Sequence, residues 1–464
     1  MVRHITRRRV LQGAALAVAL PRGAVAQDAY SGQFIEARKV SSRLLGAGSP
    51  ATDHWRLATT HESLGHELAI LRAKQGQELR LRLINTLDEN VWLHFFGVRG
   101  PSDMMTVNME AGSSDAAEVV FTPPDAGTFW FGPTLNASRQ RAMGLYGLLI
   151  VDEAMPQTTY FDQPLVFEDW MLGDDGKLKQ GFGDIEAAAG EGRQGNWHTV
   201  NGRLKPRLKL AADKPARLRL FNAANARDLK IVFKGADLIL LSLDGQPVKP
   251  SEITFSDLTL APGQRADVLL KDAVAEVPVS IDLGEDSLEV AYLEVPPAHA
   301  QGGSADGALP GNPLPVVDPA TVPREISVAI EGGLKGGLKS ARLGDQELDL
   351  RALLEKGIAW AVNGVAGPSA ATLFEAKPGE ILILAIDNKT QFAQPLHVHG
   401  HVWHVLEQAG VTQENQSWRD TAVIPAMTQL KLAMVAGTPG TWAIQSLVAE
   451  RCDSGLFAAF KIIA

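Results

Sequence analysis

Cysteine is nearly absent from this sequence: 464 residues carry one, Cys452. No intramolecular disulfide can form, so the fold must hold through burial alone. Nor does any apolar stretch approach the ~20 residues that a membrane span needs. Long basic runs are missing and the formal net charge is -9, which argues against nucleic acid as a partner. What abounds is turn material, 44 Gly and 26 Pro beside 45% hydrophobic residues. That is the make-up of turn-rich globular domains, and the length suits about three of them.

The first 26 residues read as an address rather than as fold. Thr6-Arg7-Arg8-Arg9-Val10-Leu11-Gln12 precedes a short apolar segment, residues 14–20. Ala24-Val25-Ala26 then offers a small-residue cleavage site before Gln27. Three elements in this order predict a twin-arginine export signal and a periplasmic protein.

One phrase occurs three times in the mature chain. A turn with Gly or Pro leads into Leu79-Arg80-Leu81-Arg82-Leu83-Ile84-Asn85, then Arg217-Leu218-Arg219-Leu220-Phe221-Asn222, then Ile381-Leu382-Ile383-Leu384-Ala385-Ile386-Asp387-Asn388. Each is a strand pattern that closes on Asn. Each is followed by an extended run (115–121, 265–270, 429–435) and then by a further strand. Self-similarity at this long period means repeated domains, and closely spaced strands with little amphipathic helix mean β-sandwiches. The expected fold is therefore all-β. Its expected parts are a signal peptide over 1–26, domains over 27–155, 156–298 and 324–464, and a Gly/Pro/Ala-rich linker over 299–323.

The chemistry-bearing stretch is Gln394-Pro395-Leu396-His397-Val398-His399-Gly400-His401. It follows the strand 381–386, and its histidines recur with period two, so on a continuing strand they share a face. Clustered imidazoles suit Cu, Zn, Ni or Fe. The bland alternative is a polar strand end near solvent, less expected where three of only 11 histidines alternate.

With these repeats in view, the chain resembles a three-domain multicopper oxidase, in which each domain is a cupredoxin-like Greek-key β-sandwich. The resemblance rests on Leu93-His94-Phe95-Phe96-Gly97 and Gly127-Thr128-Phe129-Trp130-Phe131 in the first copy. It rests on Leu243-Asp244-Gly245-Gln246-Pro247 and Pro262-Gly263-Gln264-Arg265 in the second, and on the histidine stretch and Arg419-Asp420-Thr421 in the third. It also implies copper ligands that this sequence does not supply. The first His-X-His pair reads His94-Phe95-Phe96, and the second has Gly132 and Thr134 in its slots. The third-domain motif starts at Gln394 instead of His and keeps His397 and His399. The closing His-Cys-His reads Gln445-Ser446-Leu447, with Arg451 and Leu456 in the downstream His and Met slots.

An electron-entry copper needs a thiolate and two imidazoles, and Ser446, Gln394 and Arg451 offer none. An arginine cannot ligate, and its charge opposes a cation. The resemblance therefore leaves His94, His397 and His399 as a residual metal set for one Cu, possibly Zn, or for no metal, and not for the full four coppers. Against that set stands a repacked cleft, with Phe96 and Leu447 placing apolar surface there.

Other residues carry bland expectations. His401 and His404 read as structural imidazoles, Cys452 as a buried inert thiol, and Met104, Met105 and Met109 as ordinary packing. The pairs Glu168-Asp169 and Asp174-Asp175 read as solvated loop charges beside a turn. The expectation that follows is a non-catalytic binding or scaffold protein of the cell-division or envelope-stress kind, with periplasmic protein partners that the sequence does not name. The alternative is a divergent copper-binding oxidoreductase with one residual type-2-like site.

Overall fold

The computed structural model describes residues 33–59, 68–156, 160–249, 253–297, 308–316, 323–334, 337–367, 372–409, 411–412 and 418–464. The expected export signal and most of the expected linker lie outside these. Six sheets pair into three sandwiches in chain order, so the chain is all-β with three cupredoxin-like domains in tandem.

The same wiring recurs in each. The opening strand pairs in parallel with the strand of the repeated phrase: Phe34–Ser42 with Leu79–Asn85, Phe161–Trp170 with Ala216–Asn222, Arg324–Gly332 with Ile381–Asn388. That strand then pairs antiparallel with Ser113–Phe121, Arg265–Ala273 or Thr428–Val435. The facing sheet likewise begins with a parallel pair: Ala69–Lys74 with Gly147–Asp152, Arg207–Lys209 with Ser287–Glu294, Glu375–Ala376 with Phe457–Ile462.

The recurring terminal Asn has one job in all three copies. The side-chain amides of Asn85, Asn222 and Asn388 donate to the carbonyls of Glu89 and Met109, Arg227 and Leu260, and Phe392 and Ile424. Each Oδ1 accepts the backbone N–H two residues on, at 2.9–3.1 Å. A buried amide can satisfy donors and acceptor together only in such a knot, which ties the strand end to the loop that follows it and to the facing sheet.

Alternation decides what the first copy buries: Leu79, Leu81 and Leu83 are in the core while Arg80 and Arg82 face solvent. Each buried leucine contributes about 1.5–3 kcal/mol, the kind of stabilisation a disulfide-free chain depends on. In the second copy the outward arginines are buried as well, because the first sandwich covers them. Arg217 pairs with Asp267 and Glu153, Arg219 with Asp267 and Asp162, and Thr128 of the first sandwich donates to Asp267 at 2.6 Å.

The acidic pair Glu168-Asp169 corrects an expectation. It lies on the strand Phe161–Trp170, where Asp169 is half-buried and Glu168 is buried, 1% exposed. Glu168 accepts from Arg56 Nη1 (2.8 Å), Tyr146 Oη (2.7 Å), Thr199 Oγ1 (2.7 Å) and the Gly202 amide (2.6 Å). Four donors offset the desolvation of a carboxylate in a way that one surface partner cannot. Asp174 and Asp175 are exposed, as solvated charges are.

Between the second and third sandwiches, residues 308–316 run back along the first two. Asn312 Nδ2 donates to Ala126 O and Gln246 Oε1, both at 2.9 Å, and its Oδ1 accepts the Ala126 amide at 2.9 Å. Arg99, held on Asp125, donates to Pro313 O at 3.0 Å. The side chain of Asn312 thus pins two sandwiches at once.

Candidate metal centre

Equivalent strands carry His94 and His397, while the expected continuation stops at Val398 and His399 stands in the turn directly after it. Val91–Phe96 in the first sandwich and Gln394–Val398 in the third hold the same place in their sheets, each beside the long strand before the last. His94 lies opposite Gly132 and His397 opposite Gln445. The first and third sandwiches meet on these strands. Among the described residues, His94, His397 and His399 form a group with ligating atoms within 4.8 Å of one another, all buried.

Each ring is held from behind. His397 Nδ1 lies 3.0 Å from Asp420 Oδ1, and His94 Nδ1 lies 2.7 Å from Thr106 Oγ1. His399 Nε2 lies 2.8 Å from Gln445 Oε1, which also accepts from Thr134 Oγ1 at 2.5 Å. Burial opposes the charge on Asp420, but Arg265 and the bond to His397 outweigh it and keep its carboxyl well below the usual range. An ionised Asp420 makes Nδ1 the protonated nitrogen of His397, so Nε2 presents a lone pair.

Burial also lowers the imidazoles, His399 to about 3; the nearby rings add to it for His94 and His399, and Arg265 adds to it for His397 against the opposing pull of Asp420. All three are neutral near pH 7. That is the ligating form, and it permits His94 and His399 to stack with centroids 3.8 Å apart.

One divalent cation fits this set. The Nε2 atoms of His94 and His397 are buried without a hydrogen-bond partner, and a cation between them would satisfy both. His94, His397 and His399, with ligating atoms within 4.8 Å of one another, would hold it through imidazole nitrogens of the kind that zinc and copper take. Carboxylate and hydroxyl groups behind ligating histidines are the outer shell that such sites use.

The other expected slots do not fit a metal. Ser446 is buried and its hydroxyl accepts the Val448 amide at 3.2 Å. The guanidinium of Arg451 lies over the Trp360 and Phe392 rings, donating to Gln394 Oε1, Ala393 O and Gly190 O. Phe96 stacks on Trp130 at 3.7 Å within an apolar cluster that includes Tyr146, Phe221 and Leu447. Where a second and third ligand pair would stand, Leu447 joins that cluster and Thr134 and Gln445 bond to each other instead of presenting imidazoles.

The remaining residues fall outside the site. Both ring nitrogens of His401 are engaged, with His399 O and the Gly437 amide, each at 2.9 Å. His404 packs against Trp418. Cys452 is buried and its thiol is pushed well up by desolvation. Met105 and Met109 are core residues. The sequence alone points to no role for Thr106, shows Thr134 only as the occupant of a lost ligand slot, and shows Arg265 and Asp420 only as parts of motifs. Polar groups behind histidines announce themselves only once strands are in register.

Three family models described as multicopper oxidase match residues 65–155, 161–276 and 345–463. The multicopper oxidase MmcO of Mycobacterium tuberculosis is 25% identical over 416 residues, 81% of this chain and 77% of that protein. The cell division protein FtsP of Escherichia coli is 25% identical over 407 residues, 83% of this chain and 81% of that protein. Among solved structures, a multi-copper oxidase from Pseudomonas thermotolerans superposes with a TM-score of 0.78 at 27% identity, covering 93% of this chain and 98% of that one.

Proposed function

This chain belongs to the multicopper oxidase family, and on that premise we propose that it works in the periplasm as a non-catalytic binding or scaffold protein. Its work, on this reading, is in cell division or envelope stress, with protein partners held on the sandwich surfaces. The similarity to the cell division protein FtsP supports this reading. The observation that carries it is the Arg451 guanidinium bonded to Gln394, which leaves no thiolate and no imidazole for electrons to enter through. A fixed cation there repels a metal rather than holding one.

The direct test is to load the mature protein with Cu(II), dialyse it, and assay oxygen uptake on phenols and on Cu(I). The expected result is no blue absorption and no uptake above buffer. Four bound coppers with oxygen consumption would refute the proposal. For the location, Arg7→Lys with Arg8→Lys should leave the precursor in the cytoplasm, and continued export would count against the twin-arginine reading.

A second reading, one bound Cu or Zn, is favoured by the two partnerless Nε2 atoms of His94 and His397. Bound there, copper would supply one-electron chemistry. This chain's own contribution is to hold three neutral imidazoles on a dry floor of Phe96 and Trp130. About one metal per chain, lost in His397→Ala, is the outcome that separates the readings.

A further inference from the structure

All three sandwiches converge directly behind His397. Asp420 Oδ1 takes three donors: His397 Nδ1 at 3.0 Å, Thr421 Oγ1 at 2.6 Å and Arg265 Nη1 at 3.2 Å. A second contact, Arg265 Nη2 to Asp420 Oδ2, makes the ion pair two-pronged. Arg265 comes from the second sandwich and also reaches Thr128 O of the first at 3.3 Å. Within its own sandwich it donates to Gly263 O at 3.1 Å and Asp244 Oδ1 at 3.3 Å. The chain just past His94 seals the junction. Gly97 adopts φ +83, and a Cβ there would collide with both Asp420 Oδ2 and Arg265 Nη2.

The ion pair therefore does more than join two domains. A carboxylate fixed by a guanidinium fork cannot swing, because the fork matches its plane and both its oxygens. The oxygen left facing His397 is fixed in place and charged, and it prefers a protonated Nδ1. The charge-assisted bond biases the tautomer by at least about tenfold.

We propose that Arg265 is a positioning residue for the imidazole cluster: by clamping Asp420 it holds His397 in the Nδ1–H form with Nε2 turned toward His94 and His399. Docking of the second sandwich thus sets the readiness of a site built by the first and third. For its cation the inference rests on the one-metal reading, whereas the state of His397 belongs to the metal-free chain.

The test uses the mature chain with 15N-labelled histidine, free of metal, at pH 7.5. The wild-type His397 signal, assigned by its loss in His397→Gln, is expected as the Nδ1–H tautomer. In Arg265→Met it should become a mixture, and zinc affinity should fall about 10–100-fold. Arg265→Lys, with one ammonium in place of the fork, should lie between the two and carries the test where the methionine variant does not fold. A wild-type Nε2–H signal would overturn the proposal, as would a tautomer indifferent to both substitutions. A changed tautomer with unchanged zinc affinity would overturn the link to cation binding. Wild-type chain that holds Nδ1–H and takes up no zinc would refute the one-metal reading and leave the role of Arg265 intact.

Discussion

The guanidinium of Arg451 and the side-chain carbonyl of Gln394 lie 3.0 Å apart, fully enclosed at the edge of the third sandwich. Two residues unsuited to copper are thus each other's partners. The arginine's remaining donors go to the Ala393 and Gly190 carbonyls, so the cation is held by four oxygen contacts and two ring faces. A network this complete is built in its own right.

Arg451→Met should accordingly destabilise the chain by about 2–4 kcal/mol, because the buried oxygens of Gly190 and Gln394 and the part-buried Ala393 carbonyl lose their donor. Denaturant midpoints at constant slope read this out. The variant should acquire no blue absorption on copper loading, since the thiolate is still missing.

If one metal binds, zinc at a hundredfold excess over its dissociation constant should raise stability by about 2.7 kcal/mol. His397→Ala should abolish that gain, and His401→Asn should retain most of it because both His401 nitrogens are already committed elsewhere. Thermal unfolding with and without zinc distinguishes the three proteins.

Glu168→Gln should cost about 3–5 kcal/mol, since it leaves the buried Arg56 charge without its carboxylate. Arg56 lies between the Tyr146 and Trp170 rings and is 1% exposed. The loss appears in equilibrium unfolding at pH 7, and an effect under 1 kcal/mol would contradict this account of the first two sandwiches' joint.

Two buried groups pull the pH profile in opposite directions. Burial, aided by Arg56, lowers His54 to about 4, so its folded form binds a proton less readily than the unfolded chain at 6.5. The stability it contributes is complete above pH 6.5 and is lost as the pH falls toward 4. Glu450 behaves inversely. Burial raises it to about 7, and its Oε2 has no hydrogen-bond partner. Its contribution is complete below pH 4.5 and is lost as the pH rises through 7. Glu450→Gln should therefore stabilise the chain at pH 8 by about 1–3 kcal/mol and hardly at all at pH 4.5, while His54→Asn should flatten the acid limb. Unfolding curves at pH 4.5, 6 and 8 decide both.

Much of the fold was legible because it repeats. Asn85, Asn222 and Asn388 close the same phrase three times, and the structure gives each the same knot. The histidine stretch was legible as chemistry because a strand's period of two is written into the sequence. Glu168 was misread because its cation is 112 residues away in the first domain, as is Tyr146, while Thr199 and Gly202 come from a later part of its own domain. Arg265 was legible only as part of a motif, without its role, for a similar reason: what it touches at Asp420 is 155 positions downstream. Residues whose partners lie across a domain boundary leave no local pattern to read.

The place of Asn312 bears on the order of events during synthesis. Its cradle is made by Gln75, Ala126 and Gln246, all of which leave the ribosome well before it does. The seam between the two early lobes, already joined by Arg56–Glu168 and Thr128–Asp267, therefore gains this further latch only when the bridging stretch has emerged, and domains fold in that same N-to-C sequence. Asn312→Ala should leave the Ala126 amide exchanging with deuterium much as in a chain that stops at residue 297. Equal protection in all three proteins would show that the latch comes from elsewhere.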